Sequence, residues 1–291
     1  MFPTELAPMR LDQAVAALLA GLPTRASARK ACERGEILVD GQPCESSRWL
    51  RGGEPVERLP DGRTVGLGPR LPIEVVHHDP WLAVVNKPAG LPTSGPSGRT
   101  LEQALVGVLP PSEQPDALPA ARVVHRLDAP TSGLVVVART RTAHAELGRA
   151  FEGRRVEKRY RAIVTGELRG SGRVDEPIED RPAASRWACV EVTPALRSEA
   201  VTTLDLWPET GRTHQLRIHL ASLGHPVLGD ATYAPPGETL RGKGLFLCAV
   251  ALAFAHPIGG APLAFELPEP QKFASLRERE LRRFERFRGA P

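Results

Sequence analysis

One polar loop of the chain combines three side chains that could carry out nucleophilic or acid–base chemistry: His125, Arg126 and Asp128. The loop lies within Arg122-Val-Val-His-Arg-Leu-Asp128-Ala-Pro-Thr-Ser-Gly133, and the apolar run that follows predicts a buried strand. A carboxylate held in a loop by a rigid strand can act as a nucleophile or a general base. Taken alone, the loop is better explained by a surface aspartate in an Asx-turn, with a hydrogen-bonded histidine beside it, than by a catalytic carboxylate.

A second polar stretch, Gly211-Arg-Thr-His-Gln-Leu-Arg217-Ile-His-Leu, alternates polar and apolar residues. Alternation with a period of two predicts a strand. On such a strand Gln215, Arg217 and His219 share a polar face, which would place Arg217 on the wall of a cleft. His214 and His219 would point to opposite sides, so we do not expect them to form a pair of metal ligands.

The cysteines give no indication of a metal site. There are four of them, and no two have CxxC spacing: Cys32, Cys44, Cys189 and Cys248. We therefore predict free thiols, no bound metal and no organic cofactor.

Composition and charge describe an ordinary globular protein. The chain has 291 residues with a formal net charge of +4. No apolar run reaches the length of a membrane-spanning helix, and the segment Met1 to Arg10 lacks the basic and apolar regions of a secretory signal. These features predict a cytoplasmic protein without a membrane partner.

Residues 1–60 predict a small unit with a basic helix. Apolar residues at helical spacing indicate a first helix near residues 11–19, and residues 27–34 indicate a second. A short strand over residues 37–39 is followed by an Asp40-Gly41 hairpin signal. The basic side chains that we assign to the second helix face are Arg25, Arg29 and Lys30.

This part of the chain resembles the S4 RNA-binding domain. The resemblance rests on Arg25-Ala-Ser-Ala-Arg29-Lys30 and on Gly35-Glu-Ile-Leu-Val-Asp-Gly41. It implies that residues 1–60 form an S4-like α/β domain that contacts RNA through Arg25, Arg29 and Lys30. The other interpretation of the same residues is a small helical cap with a solvated basic face.

Residues 61–72 are rich in glycine and proline and predict a linker to a larger domain over residues 73–291. Strands predominate in this domain and helices do not alternate strictly with them. The pattern predicts an α+β fold with a mixed, largely antiparallel central sheet and flanking helices. The predicted elements are strands over residues 81–86, 135–137, 160–165 and 200–206, a Pro-rich loop over 109–120, a helix over 143–151, and a C-terminal amphipathic helix carrying Phe273, Leu276, Phe284 and Phe287.

Four segments of the larger domain resemble, in order and spacing, the motifs of the RluA-type pseudouridine synthases. The clearest is His125-Arg-Leu-Asp128-Ala-Pro-Thr-Ser-Gly-Leu, which is preceded by Asn86-Lys-Pro-Ala-Gly-Leu91. The segment Lys158-Arg-Tyr160-Arg-Ala-Ile-Val-Thr-Gly166 resembles the second motif of the family. The run from Gly211 to Tyr233 resembles the third. The resemblance implies an RNA-binding cleft on the central sheet.

The resemblance also implies a reaction and a set of roles. In that family the N1–C1′ bond of a target uridine breaks, the uracil rotates, and C5 joins C1′. Asp128 would act as nucleophile or base, Tyr160 would lie over the flipped base or accept its C5 proton, and Arg217 would orient Asp128. RNA contacts would come from Arg126, inserted beside the vacated base position, and from His125, Arg212 and His214.

The implied partner is RNA, with ribosomal RNA favoured by the S4-like domain and transfer RNA possible in the same family. We expect a monomer. Two alternatives remain open: a non-catalytic RNA-binding or ribosome-assembly factor that retains the fold, and an unrelated hydrolase that uses Asp128. The second is disfavoured because no acidic partner at acid–base spacing accompanies Asp128.

Overall fold

The computed structural model describes residues 8–19, 21–33, 35–59, 72–95, 99–106, 108–110, 112–236 and 242–288. The chain divides into two compact units. The first comprises Met1–Ile73, Ser94–Pro111 and Pro119–Ala121; the second comprises Glu74–Thr93, Ser112–Leu118 and Arg122–Pro291. The predicted linker over residues 61–72 lies outside the described residues except for its last position.

The first unit contains short helices and strands around a small apolar core. Leu11 and Val15, four residues apart on the first helix, are fully buried in that core. Asp40 and Gly41 both have positive φ and form the predicted two-residue hairpin turn. The elements are α1 (Leu11–Leu18), α2 (Arg25–Glu33), α3 (Leu101–Ala104), β1 (Met9–Arg10), β2 (Ile37–Val39), β3 (Gln42–Pro43), β4 (Trp49–Leu50) and β5 (Val56–Arg58).

The second unit is built on one large sheet, and the predicted mixed, largely antiparallel arrangement is confirmed. The strands of this sheet are β6 (Glu74–His78), β7 (Leu82–Lys87), β8 (Ala117–Val123, whose middle residues Pro119–Ala121 are counted with the first unit), β9 (Ser132–Thr140), β10 (Glu157–Thr165), β11 (Ser171–Val174), β12 (Ser185–Ala195), β13 (Glu199–Pro208), β14 (Leu247–Ala255) and β15 (Pro262–Glu266). They are ordered β11-β12-β13-β10-β14-β9-β7-β6, with β15 beside β14 and β8 beside β9. The helices are α4 (Arg141–Glu152), α5 (Gln215–Ser222) and α6 (Gln271–Arg288).

Strand β9 directly follows the loop that contains Asp128, and it lies between β14 and β7 in this sheet. It runs parallel to β14, whereas the other strand pairs of the sheet in the described residues are antiparallel. At its start Gly133 has φ +117°, and a Cβ there would lie 2.2 Å from the Ala249 carbonyl oxygen. A side chain at this position would therefore push β9 and β14 apart.

Three expectations about the second unit are wrong. Residues 215–220 form helix α5 and not a strand, because Leu216 and Leu220 also fit a helical spacing that a short run cannot distinguish from alternation. The predicted loop over 109–120 ends in strand β8, where Pro119 lies in an irregular stretch between the paired positions. The apolar face predicted for the C-terminal helix stops short of its end, since Phe287 on α6 is 64% exposed.

The four cysteines are free thiols, as predicted. No helix in the described part of the chain is long and apolar enough to cross a membrane.

Candidate active site

Asp128 lies in a loop whose backbone is fixed on both sides. Leu127 and Thr93 exchange two hydrogen bonds: the Leu127 N–H donates to Thr93 Oγ1 (3.1 Å), and that hydroxyl donates to the Leu127 carbonyl (2.7 Å). On the other side the Thr131 N–H donates to the Asp128 carbonyl (3.0 Å). The backbone is thus held while the Asp128 side chain stays 17% exposed.

Lys87 ties a second loop to the residue that follows Asp128. Its side chain is fully buried, and Nζ donates to the carbonyls of Leu91 (2.7 Å), Pro88 (3.0 Å) and Ala129 (3.2 Å). Burial lowers the pKa of Lys87 to about 8, although the charge of Asp128 acts in the opposite direction. Sequence reasoning gave this residue no role, because lysine is normally a surface residue.

Arg217 pairs with Asp128, but its shortest bonds go to a carboxylate that the sequence did not single out. Its Nη1 lies 3.5 Å from Asp128 Oδ2, whereas Nε and Nη2 donate to the two oxygens of Asp230 at 2.7 and 2.8 Å. Burial disfavours both charges, yet their mutual hydrogen bonds raise the pKa of Arg217 and lower the pKa of Asp230. Arg217 is therefore a fixed cation beside Asp128.

Asp230 is fixed in turn by a tight turn of the backbone. Its Oδ1 accepts from the N–H groups of Thr232 (2.9 Å) and Tyr233 (3.2 Å), and its side chain is fully buried. Gly229 precedes it with φ +82°, where a Cβ would lie 2.1 Å from the Gly244 carbonyl oxygen. The Gly-Asp pair was the available sequence signal for this residue.

Arg217 lies on helix α5, and Gln215 at the start of this helix fixes the loop that precedes it. The Gln215 Oε1 accepts from the Thr210 hydroxyl (2.6 Å) and from the Arg212 N–H (3.0 Å), and its Nε2 donates to the Ala184 carbonyl (2.8 Å). His219 belongs to the same buried polar network, with Nδ1 3.0 Å from Ser185 Oγ. These two residues support the loop and helix, and neither faces solvent.

Tyr160 lies on β10 at a register shift between this strand and β14. Its hydroxyl has no hydrogen bond to any residue that the structure describes. Burial raises the pKa of Tyr160, and the nearby charge of Asp128 raises it further. The phenol therefore stays protonated at neutral pH.

His125 lines the cavity and makes two contacts within the fold. Its Nε2 accepts the Val136 N–H at 2.9 Å, and its ring stacks on Phe151 with centroids 4.4 Å apart. Burial lowers the pKa of His125 to about 3, and the charge of Lys158 acts in the same direction. A neutral imidazole that accepts from strand β9 fixes the start of the Asp128 loop.

We expect the unfolding free energy of His125→Gln to depend less on pH than that of the wild type. Glutamine offers an acceptor oxygen for the Val136 N–H but does not titrate. The unfolded state takes up a proton at His125 below about pH 6.5, whereas the folded state does so only near pH 3. The contribution of His125 to the unfolding free energy of the wild type therefore falls as pH falls below about 6.5, by up to about 1.4 kcal/mol per pH unit. Urea unfolding between about pH 7 and pH 5 measures it. Parallel pH profiles for both proteins would contradict a neutral His125.

Three further predicted site residues have different surroundings. Arg126 is exposed and forms no ion pair among the described residues. Arg212 donates through Nε to the Pro182 carbonyl (3.1 Å). His214 lies 3.9 Å from Asp128, measured from Nε2 to Oδ1, and its Nδ1 is 2.9 Å from the Tyr233 hydroxyl.

One cavity of about 770 Å³ brings together all seven of the site residues predicted in the second unit. Its wall includes three more cations that the sequence did not single out: Arg154, Lys158 and Arg186. The cations predicted in the first unit lie on α2, where Arg25 pairs with Asp12 (3.1 Å) and Arg29 with Glu33 (2.8 Å). No cluster of three metal-ligating side chains occurs in the described ranges.

The chain is similar in sequence to known proteins. A family model described as RNA pseudouridylate synthase matches residues 82–222. An uncharacterized RNA pseudouridine synthase of Aquifex aeolicus is 35% identical, over 87% of this chain and 88% of that protein. Ribosomal large subunit pseudouridine synthase D of Xanthomonas campestris is 35% identical, and that of Nitrosomonas europaea is 36% identical. Both alignments cover 94% of this chain, with 89% and 85% of the relatives.

A solved structure shows the same fold. It is titled Human RNA Pseudouridylate Synthase Domain Containing 4 and superposes with a TM-score of 0.57 at 23% identity, covering 72% of this chain and 93% of that chain. The sequence identity of 35% over most of the chain shows which family the chain belongs to, and the shared fold agrees with it. The chain belongs to the RNA pseudouridylate synthase family, of the RluA type, whose members are isomerases acting on RNA.

Proposed function

We propose that the protein converts uridine to pseudouridine in ribosomal RNA, with Asp128 as the catalytic carboxylate. The observation that carries the proposal is the Asp128–Arg217–Asp230 arrangement within one cavity. A carboxylate beside a fixed cation is held in one orientation, as attack on C1′ or on the base requires. The names of the relatives from Xanthomonas campestris and Nitrosomonas europaea favour large-subunit ribosomal RNA as the substrate.

The cavity suits a nucleotide that has left the helical stack. Enzymes that react with a base inside RNA must extrude it and surround it with side chains. Tyr160 offers an aromatic face for the uracil, and a walled cavity retains the detached base until C5 meets C1′. Arg126, Arg212 and the additional cations Arg154 and Lys158 would bind phosphates of the flanking nucleotides.

Residues 1–60 are proposed to bind RNA as an S4-like domain, with residues 73–291 as the catalytic domain. On α2, Arg25 and Arg29 are held in ion pairs, whereas Lys30 is exposed and has no ion pair within the described residues. An exposed arginine such as Arg29 can exchange its glutamate for a phosphate at little cost. Lys30 and Arg29 therefore make the strongest phosphate contacts of this helix.

The double variant Arg29→Ala/Lys30→Ala should bind RNA with a shallower salt dependence. Each phosphate contact that is lost should reduce the slope of log affinity against log salt by roughly 0.7 to 0.9. Binding of a ribosomal RNA fragment, titrated at several salt concentrations, measures the slope. Lys243→Ala, which removes an exposed lysine of the second unit, is the control. A double variant with the wild-type slope would mean that α2 does not contact RNA.

The substrate is identified by mapping pseudouridines in the RNA of the host with and without the protein. We expect one or a few pseudouridines of large-subunit ribosomal RNA to disappear with the protein and to return with the wild-type chain. Loss confined to transfer RNA would overturn the substrate assignment, and an unchanged map would argue against the proposed activity.

A further inference from the structure

His214 has a backbone conformation that its residue type disfavours. It precedes α5 with φ 55° and ψ 18°, in the left-handed region, and its side chain does not cap the helix. Such a conformation is uncommon for a residue that has a side chain, and it occurs often at functional sites. His214 lines the same cavity as Asp128.

The imidazole is held there by Tyr233. His214 Nδ1 lies 2.9 Å from the Tyr233 hydroxyl, and the two rings meet edge to face with centroids 5.7 Å apart. The Tyr233 ring is itself fixed, since the Arg217 guanidinium lies 5.1 Å above its centroid. The other ring nitrogen of His214, Nε2, lies 3.9 Å from Asp128 Oδ1. This distance is too long for a hydrogen bond.

Isomerisation requires a group that removes the proton from C5 once C5 has joined C1′. Tyr160 is unsuited, because its phenol is protonated at neutral pH and its hydroxyl has no hydrogen-bond partner among the described residues that could take that proton on. His125 is also unsuited, because its Nε2 already accepts the Val136 N–H. Two basic side chains form ion-pair contacts within 4 Å of the Asp128 carboxylate among the described residues: Arg217, which cannot take up a proton, and His214, which can.

We propose that His214 Nε2 accepts the C5 proton in the last step of the reaction and that Tyr233 positions it; this step rests on the proposed function of the cavity. The C5–H bond breaks and an N–H bond forms at Nε2. The electron pair of the C5–H bond becomes the C5=C6 double bond, and the electrons of the C6=N1 double bond return to N1, which takes a proton from solvent. No oxidant or reductant is needed. The Nδ1–H donates to the Tyr233 oxygen, and the Asp128 carboxylate stabilises the imidazolium that forms.

The test uses His214→Asn, because asparagine tolerates the left-handed backbone and cannot take up the proton. Single-turnover rates are measured on RNA whose target uridine carries protium or deuterium at C5. We expect the rate to fall by about 10²-fold or more, with protium reacting faster than deuterium by a larger ratio than in the wild type. Added imidazole should restore part of the rate in His214→Ala. Tyr233→Phe should show a smaller loss with the same increase in the isotope ratio, and the exposed control His144→Gln should match the wild type.

The outcomes separate this step from the proposed function. An active wild type together with a His214→Asn variant that reacts equally fast with both isotopes would overturn the role of His214 alone. A slow His214→Asn variant without an increased isotope ratio would do the same, because it would indicate a structural defect. A wild type that forms no pseudouridine in any RNA tested would overturn the proposed function and this step with it.

Discussion

Asp128→Asn should lower the single-turnover rate of pseudouridine formation by about a thousandfold or more. The amide has nearly the size of the carboxylate but lacks its charge and its nucleophilic oxygen. The loop should remain in place, because the bonds that fix it come from the backbone and from Thr93. RNA affinity should therefore stay close to that of the wild type.

Asp175→Asn is the matched control for this change. Asp175 is an exposed aspartate that pairs with Arg173 outside the cavity, so its substitution removes the same charge from the chain. We expect wild-type rates from it. An Asp128→Asn variant that turned over near the wild-type rate would remove Asp128 from its proposed role.

Arg217→Ala should eliminate activity and also destabilise the fold. It leaves Asp230 buried without its guanidinium partner, and breaking a buried ion pair from one side typically costs about 3–5 kcal/mol. Without Arg217, burial should raise the pKa of Asp230 above its ordinary value, so the variant loses stability as pH rises and the carboxylate ionises. The wild type, whose Asp230 has a lowered pKa, loses stability at this site as pH falls. The difference in unfolding free energy should thus be larger near pH 7 than near pH 4.

A double variant separates stability from catalysis at the same position. In Arg217→Met/Asp230→Leu no buried charge is left unpaired, so much of the lost stability should return. Activity should not return, because Asp128 has still lost its cation. Chemical unfolding and single-turnover rates on the same preparations measure both effects. A stable double variant with wild-type turnover would show that Arg217 serves the fold alone.

Local sequence patterns predicted the central sheet and the loop that contains Asp128. Strand β9 contains an unbroken apolar run over residues 134–138, and the Asp40-Gly41 turn has a specific backbone requirement, so both features are determined within a few residues. Helix α5 was predicted as a strand because its short polar–apolar run satisfies both periods. Its identity as a helix depends on how Gln215 and His219 enter the buried network beside β12.

The missed residues are those whose roles exist only after folding. Lys87 is surrounded by three carbonyls from two loops, one of them 42 residues away in the chain. Asp230 follows Arg217 by 13 residues and meets it only because α5 and the Gly229 turn bring them together. His125 has the residue type of an RNA contact, and its inward orientation follows from the packing of Phe151 against it.

The most direct measurement of the central claim is the conversion of uridine to pseudouridine by the purified protein. Large-subunit ribosomal RNA labelled with tritium at C5 of uridine is incubated with the wild type and with Asp128→Asn. We predict that the wild type releases tritium in proportion to the pseudouridine formed, while Asp128→Asn binds the RNA and releases none. A wild type that binds the RNA tightly but releases no tritium would contradict the account and would identify a non-catalytic RNA-binding protein that retains the fold.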